Sequence, residues 1–449
     1  FMYPGQPSAG YAGTVNQPSK IFQPQADGKW SLSQAEYNAI GKPTKVSDPQ
    51  GRETSFVYGP GGRDLLEVRK TSHGRNDLLA SYTYDDHHRP LTVKDASGQV
   101  TSLTYTVGGQ LETITNPLGQ VVKLEYNTLQ QLVTVTAPGN RVTSLTYDTQ
   151  GRVASVTNPD GQLIRTSYDG RDRPTTITYP DGTTEELRYD RLDVARRKDR
   201  SGKWTTLTYN PLRQLVEVED ALGRVTRFDW CGCGVLEGLR DPLNKVTSWL
   251  HDLQGRVIGK LLPDGTRTAF NYDNLGHLTQ RVDARGQITR YAYAVDGTLR
   301  EGSYLNTPRQ EPGITYQYDA DYRRLTSVQR GSQTITYSYK PIETTPALGA
   351  GRLASVTGPL PADVIAYRYD ALGRVTGREV KGRASSVSFD PLGRVSQVVN
   401  PLGAFTYGYE GSTGRLTSVT GAGPQTTFSY FGADQEFRLK AIHHENQAG

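Results

Sequence analysis

The side chains best suited to acid–base or metal chemistry are few and scattered along this chain. His87 and His88 are adjacent, but neighbours in sequence rarely converge on one ligand. The remaining histidines lie far apart, and no nucleophile elbow, phosphate loop or zinc helix is present. We therefore predict no catalytic, metal-binding or cofactor-binding residue. The seven histidines are His73, His87, His88, His251, His277, His443 and His444.

The only two cysteines, Cys231 and Cys233, lie in the stretch Trp230-Cys-Gly-Cys-Gly234. Two thiols do not complete a zinc site, which takes about four ligands. Three interpretations remain open: a metal site shared with distant histidines, a local disulfide, or two small apolar residues beside a glycine-rich bend. So few cysteines predict that disulfides do not hold the fold together.

Aspartates that precede a glycine by three residues are frequent, and carboxylates at such a spacing suggest calcium. Calcium-binding β-rolls, however, repeat with a shorter Gly/Asp period. Turn formation accounts for these residues, because Asp bonds to the turn backbone and Gly tolerates positive φ. We therefore interpret them as turn residues rather than metal ligands.

These turns belong to one repeat, whose clearest copy is YDTQGRVASVTNPDGQLIRTSY over residues 147–168. A first turn follows Tyr147, and a second turn is formed by Asn158-Pro-Asp-Gly161. The stretches between the turns are short and rich in β-branched residues, which is typical of strands. One repeat is thus predicted to be a β-hairpin plus the turn to the next hairpin.

An aromatic residue opens each copy of the repeat and marks its period. Nineteen such anchors run from Tyr37 to Tyr430, and 12 of the 18 intervals between them are 21 residues long. A fixed period of this kind indicates a stacked or rolled array. The structural anchors that we select as site residues are Tyr84, Tyr105, Tyr126, Tyr147, Tyr168, Tyr189, Tyr209, Tyr272, Tyr369 and Tyr409.

Strict alternation in the second strand of each hairpin predicts one aromatic and one polar face of a sheet. Leu124 and Tyr126, for example, alternate with Lys123 and Glu125. About 38 strands follow from the period, and open sheets of more than about 10 strands must curl. We predict an all-β fold, with an array of β-hairpins forming a large antiparallel sheet, and little helix.

Composition and charge exclude several other classes of protein. The 449 residues are 35% hydrophobic and carry a net charge of +5 with acidic and basic residues interleaved, so no nucleic-acid partner is indicated. No apolar window is long enough to span a membrane. We divide the chain into an extended N-terminal arm at 1–33, rich in Pro, Gly and Gln, and a repeat segment at 34–449.

The phrase Tyr-Asp-x-x-Gly-Arg, followed by Asn-Pro-x-Gly, resembles the YD repeat of the Rhs family. Strong copies are 147–152, 369–374 and 389–394, with second halves at 116–119 and 400–403. The resemblance implies a β-sheet wound into a hollow shell, or cocoon, of a bacterial polymorphic toxin. Such shells include type VI secretion effectors and the C subunits of insecticidal toxins. No Asp-Pro-x-Gly-Leu-x-Gly segment of the kind that closes such shells is present.

The resemblance implies a structural container that encloses a toxin domain until delivery and performs no catalysis. Its expected partners are the remainder of the shell and the toxin domain, with a secretion-apparatus spike protein or a chaperone as further candidates. It would be made in the bacterial cytoplasm and then exported or delivered to target cells. The chain begins with Phe1 and ends in mid-hairpin, so we expect it to be part of a longer shell.

The alternative function is a cell-wall glycan-binding repeat module. Arrays of that kind rely on Trp to stack on sugars, whereas this chain has 27 Tyr and only four Trp. The aromatic anchors therefore favour the container.

Overall fold

The computed structural model describes residues 1–4, 16–24, 30–421 and 423–445, and these form strands, turns and two short 3-10 helices, with no α-helix. Accordingly, no helix in this part of the chain is long and apolar enough to cross a membrane. The 3-10 helices are Ser72–Gly74 and Ala433–Gln435. The 39 strands are β1 (Lys20–Pro24), β2 (Trp30–Tyr37), β3 (Pro43–Ser47), β4 (Glu53–Tyr58), β5 (Leu65–Lys70), β6 (Asp77–Tyr84), β7 (Pro90–Asp95), β8 (Val100–Tyr105), β9 (Leu111–Thr115), β10 (Val121–Tyr126), β11 (Leu132–Ala137), β12 (Arg141–Tyr147), β13 (Val153–Thr157), β14 (Leu163–Tyr168), β15 (Pro174–Thr178), β16 (Thr184–Asp190), β17 (Asp193–Lys198), β18 (Trp204–Tyr209), β19 (Leu215–Glu219), β20 (Val225–Trp230), β21 (Leu236–Arg240), β22 (Val246–His251), β23 (Val257–Leu261), β24 (Arg267–Tyr272), β25 (Leu278–Val282), β26 (Ile288–Tyr293), β27 (Leu299–Leu305), β28 (Ile314–Tyr318), β29 (Leu325–Arg330), β30 (Gln333–Tyr339), β31 (Leu353–Thr357), β32 (Val364–Tyr369), β33 (Val375–Val380), β34 (Arg383–Phe389), β35 (Val395–Asn400), β36 (Gly403–Tyr409), β37 (Leu416–Thr420), β38 (Gln425–Tyr430) and β39 (Leu439–Glu445).

All these strands belong to one 39-stranded sheet, in which neighbours in sequence pair antiparallel, as in β12–β13 and β13–β14. The predicted all-β antiparallel hairpin array is confirmed. Two compact units can be distinguished. The first comprises Phe1–Val122, Tyr272–Gln280 and Ile288–Phe405, and the second comprises Lys123–Asn271, Arg281–Gln287 and Thr406–Gly449.

Positive φ angles at a fixed position close the turns. In the first turn after Tyr147, Gly151 has φ +82° and its N–H bonds to the carbonyl of Asp148. In the second turn, Gly161 has φ +78° and bonds in the same way to Asn158. This left-handed conformation costs residues with a Cβ about 1–2 kcal/mol, which explains the recurrence of Gly at the position.

A β-bulge precedes most anchors, and the sequence analysis did not predict it. Thr146 pairs with Ser155 whereas Tyr147 pairs with Val153, so one residue of β13 is left without a partner. The same shift occurs just before Tyr105, Tyr168 and Tyr369. Bulges re-aim a side chain and increase twist. Because of the bulge, Val153 pairs with Tyr147 and Val156 pairs with Leu145. The two valines therefore lie on the same face of the sheet, although they are three residues apart.

The sheet has almost no conventional core. Among the described residues, Ala350 is the only buried hydrophobic side chain. In β10, Val122, Leu124 and Tyr126 are half-buried while Lys123 and Glu125 on the other face are exposed. Apolar burial is therefore spread thinly over one face, and other interactions must fix the arrangement of the hairpins.

The regular sheet begins earlier than the tyrosine repeat. Strand β1 lies inside the segment predicted as an arm and pairs antiparallel with β2. The division drawn at 33/34 falls within β2, because the tyrosine phrase marks the first turns and not the strands. Residues 5–15 and 25–29 of the predicted arm, and the turn expected at 446–449, lie outside the described residues.

The φ requirement can be tested with two glycines that differ only in backbone conformation. A Cβ at either Gly161 or Gly170 would have nothing within 4 Å, but only Gly161 has positive φ. Gly161→Ala should lower the free energy of unfolding by about 1–2 kcal/mol, measured by urea denaturation. Gly170→Ala is the matched control and should be neutral or slightly stabilising. Equal losses in both variants would contradict the role of φ.

Candidate functional site

The ten predicted anchors all lie within the last two residues of a strand, next to a first turn. Burial raises the pKa of several of them, including Tyr84, Tyr105, Tyr189 and Tyr369. The turn at residues 147–152 makes the contacts that recur along the repeats.

The aspartate of this turn accepts hydrogen bonds from the backbone and from an arginine. Asp148 Oδ1 accepts the N–H groups of Gln150 and Arg152 at 2.9 and 3.0 Å. Its second oxygen, Oδ2, accepts Nε–H of Arg152 at 2.7 Å. The carboxylate thus fixes both the turn and the direction of the arginine side chain. Turns with the same Asp–Arg contact are centred on Asp48, Asp85, Asp169, Asp220, Asp252, Asp370 and Asp390.

The arginine held in this way reaches the next repeat. The Arg152 guanidinium lies 4.7 Å from the centroid of the Tyr168 ring. Its Nη1 also donates to the carbonyl of Asp169 at 3.0 Å, in the following first turn. Cation–π contacts of this type contribute about 0.5–1 kcal/mol at exposed sites. Equivalent contacts join Arg89 to Tyr105, Arg173 to Tyr189, Arg324 to Tyr339 and Arg374 to Phe389.

The ring in turn closes the link through its hydroxyl. Tyr168 Oη donates to the carbonyl of Val153, the residue after Arg152, at 2.9 Å. We call this set of contacts the repeat clasp: Asp148, Arg152, the Val153 carbonyl and Tyr168, with its equivalents in other repeats. The hydroxyl contact recurs at Tyr37, Tyr58, Tyr105, Tyr147, Tyr189, Tyr293, Tyr318, Tyr339 and Tyr369.

Other residue types fill the same positions in some repeats. Trp230 replaces Tyr, and its Nε1–H donates to the carbonyl of Leu215 at 2.8 Å. His277 replaces Arg and stacks on Tyr293 with ring centroids 4.7 Å apart. Asn127 and Gln131 replace Asp and Arg, with Nδ2 of Asn127 donating to Oε1 of Gln131 at 2.9 Å. The clasp thus requires donors and acceptors at fixed positions rather than fixed residue types.

Two clasp aspartates, Asp85 and Asp169, are stabilised in their ionised form. The hydrogen bond from Arg173, acting against partial burial and together with two backbone N–H groups, lowers the pKa of Asp169 to about 2. At Asp85, burial acts to raise the pKa, but the Arg89 and backbone hydrogen bonds outweigh it and bring the value to about 2.

A second kind of contact joins turns that are distant in sequence. In the first unit, Arg52 of a second turn pairs with Asp296 of a first turn 244 residues later. Only 4% and 3% of these two side chains are exposed. Arg52 also donates from Nε to Asp48 at 2.6 Å, and Thr298 donates to Asp296 at 2.7 Å. We call this contact and its neighbours, between residues 48–77 and 294–324, the seam of the first unit.

The seam continues at the next pair of turns. Asp321 accepts from Nδ1 of His73 at 2.8 Å and pairs with Arg75. Tyr322 Oη donates to Asp77 at 2.5 Å, and burial together with this carboxylate raises the pKa of Tyr322. Nearby, Lys70 is buried, which lowers its pKa. Most of the buried polar residues of the described chain lie in this seam.

The second unit has a seam of the same design. Arg200, in a second turn, donates from Nη2 to Glu436 at 2.7 Å, across 236 residues, and to Asp181 at 2.9 Å. Arg415, in a first turn, pairs with Asp160 of a second turn at 2.9 Å. In both units, therefore, second turns of the early repeats bind first turns of repeats eleven or twelve periods later.

The two cysteines form a disulfide, Cys231–Cys233. Of the three interpretations open from the sequence, the structure therefore adopts the local disulfide. Among the described residues there is no group of three or more His, Cys, Asp or Glu side chains arranged to hold a metal ion.

Sequence reasoning placed the anchors on an aromatic face of the sheet but gave no role to the arginines of the clasp or to the seam. The recurrent Tyr-Asp-x-x-Gly-Arg phrase contained a signal for the arginine, since its position relative to the next Tyr is nearly constant. No such signal exists for Arg52, Asp296 or Asp321, because their partners lie about 245 residues away.

Comparison with known proteins agrees with this geometry. The model of the RHS Repeat family matches residues 84–121, 126–163, 147–184, 251–288 and 389–426. The fold and the clasp define a β-hairpin repeat protein whose turns interlock. More particularly, the chain contains RHS repeats over these residues, and the resemblance noted from its Tyr-Asp-x-x-Gly-Arg phrase is confirmed.

Two relatives of this chain are named as toxins. The chain is 26% identical over 184 residues to double-stranded DNA deaminase toxin A of Burkholderia cenocepacia, covering 41% of this chain and 12% of that protein. It is 30% identical over 138 residues to toxin protein Tse5 of Pseudomonas aeruginosa, covering 29% of this chain and 9% of that protein. The chain thus spans about a tenth of the length of these relatives.

A solved structure shares the fold. A chain in the crystal structure of TcdB2-TccC3 without the hypervariable C-terminal region superposes with a TM-score of 0.70 at 14% identity. The match covers 94% of this chain and 27% of that chain. At this identity the likeness establishes the fold alone.

Removing one hydroxyl tests the clasp. Tyr147→Phe removes the 2.7 Å bond from Oη to the Leu132 carbonyl and keeps the ring. We expect the free energy of unfolding to fall by about 0.5–1.5 kcal/mol, measured by urea denaturation. Leu129→Ala, at an exposed side chain of the preceding turn, is the control and should change it by less than about 0.5 kcal/mol. An unchanged midpoint for Tyr147→Phe would argue against the clasp.

The ionised aspartates predict an acid-labile clasp. Because the pKa of Asp169 falls from 3.8 to about 2 on folding, its contribution is complete above pH 3.8 and is lost as the pH falls through about 2. The difference in urea midpoint between wild type and Asp169→Asn should be largest near neutral pH and shrink toward about pH 2. Asp86→Asn, at an exposed residue of the turn of Asp85, is the control, and its urea midpoint should match that of wild type at every pH. A pH-independent difference for Asp169→Asn would rule out the charge as its cause.

Proposed function

We propose that this chain is part of the wall of a toxin container, which encloses a toxin domain until delivery and catalyses nothing itself. The proposal includes the partners expected from the sequence: the remainder of the shell and the enclosed toxin domain, with a secretion-apparatus spike protein or a chaperone as further candidates. It also includes synthesis in the bacterial cytoplasm followed by export or delivery to target cells.

The observation that carries the proposal is the seam. A sheet of many hairpins presents its turns along its two margins, and in each unit second turns of early repeats bind first turns of late repeats. Contacts of this kind are what a sheet needs to close on itself as a wound wall. A sheet used as an open binding platform has no need to bury an ion pair such as Arg52–Asp296 between its margins.

The thinness of the sheet also supports a wall. With Ala350 as the only buried hydrophobic residue in the described chain, the sheet does not fill space with its own side chains. A single layer with half-buried aromatic residues on one face leaves apolar surface that favours an occupant. An enclosed domain would supply that occupant.

The state of the aromatic rings argues against the glycan-binding alternative. A sugar-stacking ring must present a free face, but in the clasp the guanidinium lies over the ring at 4.0 Å for Arg173 and Tyr189 and at 3.7 Å for Arg374 and Phe389. The hydroxyl of Tyr189 also donates a hydrogen bond to the Pro174 carbonyl. These rings serve the sheet and are poorly placed to serve a ligand.

The names of the relatives support a toxin domain as the cargo of the container. Toxin protein Tse5 and the deaminase toxin are both named as toxins, and each is far longer than the matched segment. In a protein of this design, a short toxin domain with its own chemistry accompanies a wall made of repeats. The wall acts by exclusion, because it separates the cargo from its target and from proteases.

The test is protection of the cargo in the complete toxin. We expect the enclosed toxin domain to resist added protease for much longer than the same domain alone, as followed by gel electrophoresis. Arg52→Ala leaves Asp296 buried without its partner, at a cost of about 3–5 kcal/mol, and should accelerate cargo digestion. Lys45→Ala removes only the surface pair with Glu53 at 2.7 Å and should behave as wild type. Digestion of the wild-type cargo at the rate of the free domain would refute the container.

A further inference from the structure

We propose that the Cys231–Cys233 disulfide is a thiol–disulfide exchange site. A low-molecular-weight thiol of the glutathione class would attack Cys233, and Cys231 would leave as a thiolate held by the turn. The inference concerns a first turn of the second unit and is independent of the container function.

The disulfide occupies a clasp position. Cys231 follows the anchor Trp230 as Asp148 follows Tyr147, and the backbone bonds of the two turns are the same. Cys231 N–H donates to the Val235 carbonyl and Gly234 N–H to the Cys231 carbonyl, both at 3.0 Å. The corresponding distances in the turn of Asp148 are 2.9 and 3.0 Å. Cys231 therefore stands where the turn of residues 147–152 holds the carboxylate of Asp148.

This position stabilises negative charge. In the turn of Asp148 the carboxylate accepts N–H of the residue two positions later at 2.9 Å. In the disulfide turn, N–H of Cys233 donates to Sγ of Cys231 at 3.0 Å. The same backbone dipole that favours aspartate would favour a thiolate at Cys231 over a thiol, and a stabilised thiolate is a good leaving group.

Exposure sets the direction of attack. Cys233 and the two flanking glycines are exposed, whereas Cys231 is only half-buried. Val235 occupies the position that Arg152 has in the other turn, so no guanidinium side chain extends from it across the sulfur atoms. A small thiol thus reaches the exposed Cys233 more readily than the half-buried Cys231.

The exchange balances with two thiols of the glutathione class. The first, as thiolate, forms a bond to Sγ of Cys233; the Cys231–Cys233 bond breaks, and its electron pair goes to Cys231. The second thiolate attacks the sulfur of the bound thiol, so that Cys233 leaves as a thiolate. The protein disulfide is reduced to two thiols, and two small thiols are oxidised to one disulfide.

The turn can undergo this reaction without loss of the sheet. Trp230 keeps its bond from Nε1 to the Leu215 carbonyl, and the two bonds of the turn between backbone N–H and backbone carbonyl groups do not involve sulfur. Strands β20 and β21 pair through Trp230 and Leu236 on either side of the turn. The disulfide thus lies within one turn, in place of the Asp–Arg contact, and does not link strands that are distant in sequence.

The first experiment measures reduction of the full chain by glutathione without denaturant. Quenching with N-ethylmaleimide and mass spectrometry should show glutathione on Cys233 and alkylation on Cys231. We expect the native rate to lie within about tenfold of the rate for the urea-unfolded chain, since the turn is already accessible. Reduction that requires urea, or glutathione attached mainly to Cys231, would overturn the proposal.

A second experiment isolates the anion-stabilising role of the turn. The pH profile of iodoacetamide alkylation is compared in Cys233→Ser, which leaves Cys231, and Cys231→Ser, which leaves Cys233. The midpoint for Cys231 should lie below the ordinary thiol value of about 8.5 and below that for Cys233. Coincident midpoints would overturn the proposal. Cys231→Asp restores the residue of the other turns, so it should fold as wild type while showing no exchange.

Discussion

The structure depends on one link between consecutive repeats, the clasp in which Asp holds Arg, Arg covers the next Tyr ring, and that Tyr bonds to the carbonyl beside the Arg. Backbone ladders join strands but leave the twist between hairpins free to vary, and apolar burial is thin. The clasp supplies what a core would otherwise supply: it fixes each hairpin against the one before it. Because each clasp involves only neighbours, stability should accumulate as a sum of nearest-neighbour terms, as in other repeat proteins.

The seam acts at a different level from the clasp. Arg52 and Asp296 are almost fully buried, and removing two charges from water costs several kcal/mol per ion before their attraction repays it. Such a pair contributes little net stability but strongly disfavours any pairing that leaves one charge alone. In each unit the seam therefore selects which early turn meets which late turn. The clasps hold consecutive hairpins together, and the seam determines which turns at the margins of the sheet bind each other.

The sequence predicted what is local. The 21-residue period, the turn residues and the alternation of Leu124 and Tyr126 against Lys123 and Glu125 were sufficient for the antiparallel hairpin array. The bulge before Tyr147 was not predicted, because the three-residue spacing of Val153 and Val156 does not fit the strand period of two. The partner of the Tyr hydroxyl was missed since a backbone carbonyl has no sequence signature. The pairing of Arg52 with Asp296 could not be predicted from the sequence, because it depends on how many strands lie between the two residues.

Substitutions within the clasp show which of its features are essential. Asn127 and Gln131 replace an ionic pair by a neutral one, and Trp230 replaces a hydroxyl by an indole N–H. What persists is an acceptor facing the N–H two residues later and a donor facing the carbonyl of the preceding repeat. A turn of this kind accepts any side chain that provides the acceptor, and the sulfur of Cys231 does so. The sheet can therefore carry a disulfide at a turn without a change in its strand pairing, since its strands are held by contacts that the sulfur atoms do not make.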